Sequence, residues 1–187
     1  MTSTIEFRSP DAGFDQPIGM WLACHQRVRR FAALLQRLRV HLQSAGADEE
    51  AQMSAVSIRR YFNEAAPRHH EDEEVDMFPL LRERCGSDDD AVLEVLERVE
   101  RDHLEMAGLW RGLDASLARI SAGTDVALDE DAVAQFAAMY DRHIDAEETV
   151  LLPALRRFLR DADWSVIGRS MAARRGLEDK GGPRHRG

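Results

Sequence analysis

Residues 93–117 read LEVLERVERDHLEMAGLWRGLDASL. The apolar residues of this stretch recur at intervals of three or four, which is the pattern of an amphipathic α-helix with one buried face. Three further stretches, at about 18–43, 48–84 and 128–159, have the same periodicity, and short polar segments separate them. Four such helices can bury their apolar faces against one another. The sequence therefore predicts an all-α fold, an up-down antiparallel four-helix bundle with a short C-terminal helix.

Breaks in this pattern indicate how the chain is organised. With 187 residues, one domain is expected. Within the second helix, Pro67 lacks a backbone donor and predicts a bend near Asn63. The predicted parts are an N-terminal arm at 1–16, the bundle at 17–160, a short helix at 161–175 and a disordered tail at 176–187.

The composition argues against several classes of function. The chain has 34 acidic and 25 basic residues and a formal net charge of −9, whereas nucleic acids and anionic membranes attract clustered positive charge. No apolar run approaches the ~18 residues that span a bilayer, and the N-terminus lacks the profile of a signal peptide. Two cysteines are too few for a disulfide framework. These features predict a cytoplasmic protein that binds neither nucleic acid nor membrane.

Each of the four apolar stripes contains a histidine. His103, for example, lies four residues after Val99 and three before Met106. A single inward histidine is usually a core residue with a hydrogen-bond partner. One on every helix is better explained by a shared site, although a structural bundle whose inward His and Glu only hydrogen-bond each other is the alternative. The four residues are His25, His69, His103 and His143.

Two of these histidines are followed four residues later by a glutamate, as the pairs His69/Glu73 and His143/Glu147. Residues at i and i+4 share one helix face, so each pair directs an imidazole and a carboxylate to the same point. Two buried carboxylates that face each other are unfavourable without a cation. A pair of divalent metal ions would neutralise them, with the carboxylates bridging the ions and the neutral imidazoles completing each side.

The two pairs belong to an internal repeat. Residues 69–82 read HHEDEEVDMFPLLR, and residues 143–156 read HIDAEETVLLPALR. A proline follows ten residues after His69 and ten after His143. This register favours His69 as the ligand over His70, which has a glutamate at the same spacing and stays open as the alternative.

Other residues lie beside these histidines. Glu74 and Glu148 directly follow the paired glutamates, and we expect them to face solvent or to support the ligands. Trp21 lies four residues before His25. It could line a pocket beside the site, but a place in the bundle core is the simpler interpretation.

Other kinds of metal site fit the pattern less well. Ferritin-like bundles have Glu-x-x-His on two helices, whereas one such string, Glu100 to His103, occurs here without a second on a suitable partner helix. A single tetrahedral zinc ion uses four ligands, which is fewer than the four histidines and two glutamates offer.

The sequence resembles the hemerythrin-like (HHE cation-binding) family over about residues 16–160. The resemblance rests on the repeated His-x-x-x-Glu with its following proline and on the lone histidines of the first and third helices. It implies an up-down four-helix bundle with a non-haem di-iron centre that handles O₂, NO or redox signals. Carried over residue by residue, it implies two iron ions, bridged by the two glutamates, with the ligands His25, His69, Glu73, His103, His143 and Glu147.

One departure from the family pattern bears on function. The oxygen-carrying members have a fifth histidine four residues after the helix-three ligand, where this chain has Ala107. This makes the chain more similar to bacterial members such as the iron-cluster-repair proteins and argues against reversible O₂ storage. The expected function is that of a metal-binding protein that binds or senses a diatomic ligand, O₂ or NO, or redox state. A sensing role would act through a separate protein partner, which the sequence does not identify. The alternative is an enzyme-like role, in NO or peroxide reduction or in iron donation for iron–sulfur cluster repair.

Overall fold

The computed structural model describes residues 13–124 and 127–177, and these form a helical bundle. No strand occurs within the two described ranges, so the predicted all-α class is confirmed. The helices are α1 (Pro17–Ala45), α2 (residues 49–84), α3 (Asp90–Ser121), α4 (residues 130–158) and α5 (Asp161–Arg174).

α2 and α4 are not regular α-helices along their whole length. Within α2, the π-helical turns Tyr61–Ala65 and Asp72–Met77 separate the α-helical parts Glu49–Arg60, Ala66–Glu71 and Phe78–Arg84. Within α4, the π-helical turn Glu147–Leu151 separates Glu130–Ala146 from Leu152–Phe158. Each of these turns ends just before a residue that is itself followed by proline.

The prolines explain where the turns occur. A proline in a helix removes one donor, and its ring clashes with the carbonyl four residues earlier, so the preceding turn widens. The bend expected near Asn63 corresponds to the first π-helical turn. In the repeat, the residue before Pro79 donates its N–H to the carbonyl of Glu73, and the residue before Pro153 donates to the carbonyl of Glu147. The wide turn of α4 therefore starts at Glu147, and that of α2 starts one residue before Glu73.

Among the four long helices, α1 packs against α2, α2 against α3 and α3 against α4, and α4 packs back against α1. Their antiparallel direction is visible in ion pairs between α1 and α4. Arg39, near the end of α1, contacts Glu130 at 2.8 Å, whereas His25, near its start, contacts Glu148 at 2.9 Å. The four long helices thus form the up-down bundle that the periodicity predicts.

The interior of the bundle consists of two apolar clusters with a polar layer between them. The first cluster includes Leu35, Ile58, Leu117 and Phe136. The second cluster includes Leu81, Leu96, Leu155 and Met171. The buried polar and charged residues of the described chain are His25, His69, Asp72, Glu73, His103, His143 and Glu147. All six predicted site residues are in this set.

α5 packs on the bundle through charge pairs and one close backbone approach. Arg84 of α2 forms a two-pronged pair with Asp163, at 2.5 and 2.7 Å. A Cβ added to Gly168 would lie 2.1 Å from the carbonyl oxygen of Phe14, so only glycine fits at this contact. α5 is therefore tied both to α2 and to the segment before α1.

Two predicted parts of the chain fall largely outside the described ranges. They are residues 1–12 of the predicted arm and residues 178–187 of the predicted tail. Among the described residues, none of the helices combines the length and apolar character needed to cross a membrane.

Candidate metal centre

The six predicted site residues come together in the polar layer as two overlapping groups. In each group, one potential ligand atom per residue lies within 4.8 Å of all the others. Both glutamates belong to both groups, and each group adds two histidines. The first group is His25, His69, Glu73 and Glu147, and the second is Glu73, His103, His143 and Glu147.

Glu73 directs its two carboxylate oxygens to different histidines. Its Oε1 lies 3.2 Å from Nε2 of His69 and 4.0 Å from Nε2 of His25. Its Oε2 lies 3.4 Å from Nε2 of His103. One oxygen therefore belongs to the first group and the other to the second.

Glu147 has the same arrangement, with the helices exchanged. Its Oε2 lies 3.2 Å from Nε2 of His25, and its Oε1 lies 3.2 Å from Nε2 of His143. Each carboxylate thus spans the two groups, which is how a bridging carboxylate has to face two metal ions.

Two further carboxylates contact the Nδ1 atoms of two of these histidines. Glu74 lies 2.6 Å from Nδ1 of His103, and Glu148 lies 2.9 Å from Nδ1 of His25. Arg29 donates to the same oxygen of Glu148 at 3.0 Å. A carboxylate at Nδ1 keeps the proton on that nitrogen and leaves Nε2 as the lone-pair donor, which is the tautomer that metal ligands use. The repeat therefore places equivalent glutamates on opposite sides of the site.

Several buried polar atoms of this layer have no hydrogen-bond partner within the described residues. They are Nε2 of His25, Nδ1 of His69, Nε2 of His70, Oε2 of Glu73, Nδ1 of His143 and both oxygens of Glu147. Buried carboxylate and imidazole atoms without partners are costly. Most of these atoms face the centre of the layer, where metal ions would satisfy them.

The charges of the layer point to the same conclusion. Burial lowers the pKa of His25, but Glu147 and Glu73 outweigh burial and raise that pKa to about 10. At His103, burial is again outweighed, by Glu73 and a second carboxylate, and the pKa rises to about 10. At His69, burial prevails and lowers the pKa to about 4. Without metal, protons on two histidines therefore compensate the two carboxylates, and these are the charges that bound cations would replace.

Comparison with known proteins agrees with this geometry. The family model described as the hemerythrin HHE cation-binding domain matches residues 16–155. The chain belongs to the hemerythrin HHE family. It is also similar to an uncharacterized protein of Haemophilus influenzae, with 31% identity over 168 residues, which are 90% of this chain and 95% of that protein.

Within this hemerythrin-type bundle, His69 and His70 lie in different groups of potential ligands. His69 lies in the first group, with His25 and both glutamates. His70 lies with His103 and His143 in a third group that meets the same distance criterion. The two histidines therefore face different halves of the site. Ala107, where the oxygen-carrying members have a further histidine, is exposed.

Trp21 has a polar role that the periodicity did not reveal. Its ring is fully buried in the second apolar cluster, as the core interpretation requires. Its indole N–H also donates to Oε1 of Glu73 at 2.5 Å, and its ring lies edge-on to His25, with centroids 4.6 Å apart. It therefore helps to orient one of the two central carboxylates.

Asp72 is the buried charge that sequence reasoning missed. Its carboxylate is fully buried and pairs with Arg174, and it also pairs with Arg175 at 2.7 Å. Asp76 pairs with Arg174 as well, at 3.0 Å. A signal was present, because Asp72 aligns with Ala146 in the second copy of the repeat.

Proposed function

We propose that this protein is a non-haem di-iron protein that binds or senses O₂, NO or redox state. In this proposal, Glu73 and Glu147 bridge two iron ions, His25 and His69 complete one side, and His103 and His143 complete the other. The observation that carries the proposal is the direction of the carboxylates, since each glutamate offers one oxygen to each histidine pair. Membership in a cation-binding family supports it.

The proposed site combines residues that would hold the metal ions with residues that orient the ligands. A bound iron pair supplies reversible one-electron changes and open positions for a small ligand. Glu73 and Glu147 would hold the two ions, each with one oxygen toward each histidine pair. Glu74 and Glu148 orient His103 and His25 through their Nδ1 atoms, so the Nε2 atoms face inward.

Burial favours a small ligand and a retained metal. The side chains of the six proposed ligands are at most 4% exposed, and apolar clusters lie on both sides of the layer. A diatomic molecule can reach such a site through small fluctuations, whereas a large substrate would need the bundle to open. Release of iron to another protein would also need the bundle to open. Burial therefore supports binding or sensing over iron donation.

The decisive experiment is the metal content of untagged protein reconstituted anaerobically with Fe(II), followed by its visible spectrum before and after exposure to air or NO. We expect two irons per chain, ligand-dependent charge-transfer bands, and little loss of iron to a competing chelator over hours. A folded protein that takes up no metal would overturn the proposal and leave a polar-cored structural bundle. Rapid transfer of the iron to an apo-iron–sulfur protein would favour the cluster-repair role. Parallel reconstitution with Mn(II) tests the identity of the metal, because the N/O ligand set tolerates both.

A further inference from the structure

His70 is a half-buried histidine beside the polar layer, and the proposed six-ligand site does not use it. It stacks on His103, with ring centroids 3.9 Å apart and an angle of 9° between the planes. Its ring lies 6.1 Å from that of His143. One ring nitrogen from each of the three histidines lies within 4.8 Å of the others.

The Nε2 atom of His70 needs a partner. It is buried and has no hydrogen-bond partner among the described residues. A buried imidazole nitrogen without a partner is unfavourable compared with an apolar side chain of similar size. The other copy of the repeat has such a side chain at this position, Ile144, which is 1% exposed in the first apolar cluster. Packing alone therefore does not explain a histidine here.

Helix geometry places His69 and His70 on different sides of Glu73. Neighbouring residues in a helix project about 100° apart, and Glu73 follows them at i+4 and i+3, so both share its face. His69 contacts Oε1 of Glu73, while His70 stacks on His103, which faces Oε2. His69 and His70 thus lie on either side of the Glu73 carboxylate, which spans the two groups.

We propose that His70 is a fifth imidazole ligand, on the metal that His103 and His143 bind. This inference rests on the proposed di-iron function. It makes the two metal positions unequal, with three imidazoles on one and two on the other, His25 and His69. The position with fewer protein ligands is then the one that receives the external diatomic ligand. Ala107 provides no imidazole on α3. In this proposal the site still has five imidazoles, because α2 supplies the fifth through His70.

The test compares His70→Ala with Ile144→Ala, which removes the aligned side chain in the other repeat. Both variants shorten a side chain at the same position of the repeat, half-buried at His70 and buried at Ile144, but only the first loses a proposed ligand. With ⁵⁷Fe-loaded protein, the wild type should give two distinct Mössbauer doublets of equal area, and Ile144→Ala should keep them. His70→Ala should change one of the two doublets, weaken binding of the second Fe(II) by on the order of tenfold or more, and recover the wild-type spectrum when free imidazole is added.

Azide serves as a probe of open positions on the ferric protein. We expect one azide per iron pair in the wild type and a second binding event in His70→Ala, which added imidazole suppresses. If His70→Ala does not fold, His70→Gln carries the same comparison with nearly the same volume. A wild type that binds two irons, together with His70 variants that match Ile144→Ala in spectrum, second-site affinity and azide stoichiometry, would overturn this inference and leave His70 as a packing residue. A wild type that binds no iron would overturn the proposed function itself.

Discussion

The two copies of the repeat, residues 69–82 on α2 and residues 143–156 on α4, have the same local structure but different surroundings. Both have a histidine, a glutamate four residues later and a proline ten residues later, and in both a π-helical turn begins at or beside the glutamate. They differ at the second position, where His70 aligns with Ile144.

They also differ on the side that faces α5. Asp72 and Asp76 of the first copy pair with Arg174, whereas the aligned Ala146 and Val150 belong to or pack against the second apolar cluster. The shared residues therefore build a nearly symmetric site. The residues that differ place α5 against the first copy and give that copy a second histidine, His70.

The largest expected effect comes from removing the histidine that the two copies share. His69→Ala and His143→Ala should each lose most of the bound metal, because Glu73 and Glu147 then face each other without full compensation. The free energy of unfolding of the metal-loaded protein should fall by about 3–5 kcal/mol. Metal analysis together with urea unfolding checks this, with His41→Ala as the control at an outlying histidine. If either variant retained two metals per chain, its histidine would not be a ligand.

The next largest effect should come from Asp72→Ala, which makes the first copy match the second at Ala146. Arg174 and Arg175 would lose a fully buried partner, so we expect about 2–3 kcal/mol of destabilisation and faster proteolysis within α5. The control is Glu71→Ala, which removes an exposed partner of the same Arg174, at 3.3 Å, and should cost less than about 1 kcal/mol. Equal effects of the two variants would mean that α5 is held by its apolar contacts and not by Asp72.

A smaller effect is expected from the glutamates that contact the Nδ1 atoms. Glu74→Gln and Glu148→Gln should still bind two metals, with affinity reduced about 10–100-fold. The loss should be greater for Glu148, since its side chain is 30% exposed and is held by Arg29, whereas that of Glu74 is 45% exposed. Chelator-competition titrations measure the affinities, and Asp145→Asn, at an exposed site of the second copy, is the control. An unchanged affinity in both variants would remove these glutamates from the site.

The pH dependence of stability distinguishes the metal-free protein from the loaded one. The pKa values of His25 and His103 rise from 6.5 to about 10 in the folded metal-free protein. The folded state then holds protons that the unfolded state releases between these values, so the stability of the metal-free protein should fall as pH rises from about 6.5 towards 10. Bound metal displaces those protons, so the stabilisation by metal should grow over the same range. Thermal melts with and without chelator should show the gap in Tm widening by several degrees. A gap that stays constant with pH would contradict the proton displacement.

Much of the candidate site could be predicted from the sequence because its information is local. The i and i+4 spacing of His69 with Glu73 and of His143 with Glu147 places each pair on one helix face wherever the helix packs. The apolar stripes that contain His25 and His103 turn these histidines inward for the same reason. That all six side chains meet in one layer follows from the bundle, and the structure agrees.

Other features could not be predicted, because they depend on which helix lies next to which residue. His69 and His70 each precede a glutamate by four residues, and the proline register favours His69 as a ligand. Only the packing of α2 against α3 shows that His70 stacks on His103. Trp21 fits an apolar stripe, and its bond to Glu73 depends on α1 lying beside α2. In the sequence, Asp72 does not differ from the other acidic residues around it. Its burial and ion pairs depend on α5, which places Arg174 and Arg175 beside it.

The helices, the positions of the prolines within them and the inward pairs of histidine and glutamate follow from local sequence, because periodicity and backbone chemistry act over a few residues. Helix packing sets which oxygen of each glutamate faces which histidine. It also brings Glu74 to His103 and Glu148 to His25, and it places α5 against Asp72. The contacts of Glu74, Glu148 and Asp72 join residues 29 to 123 positions apart. Such separations in sequence are bridged by packing, whose outcome depends on the shapes and charges of all the helices together.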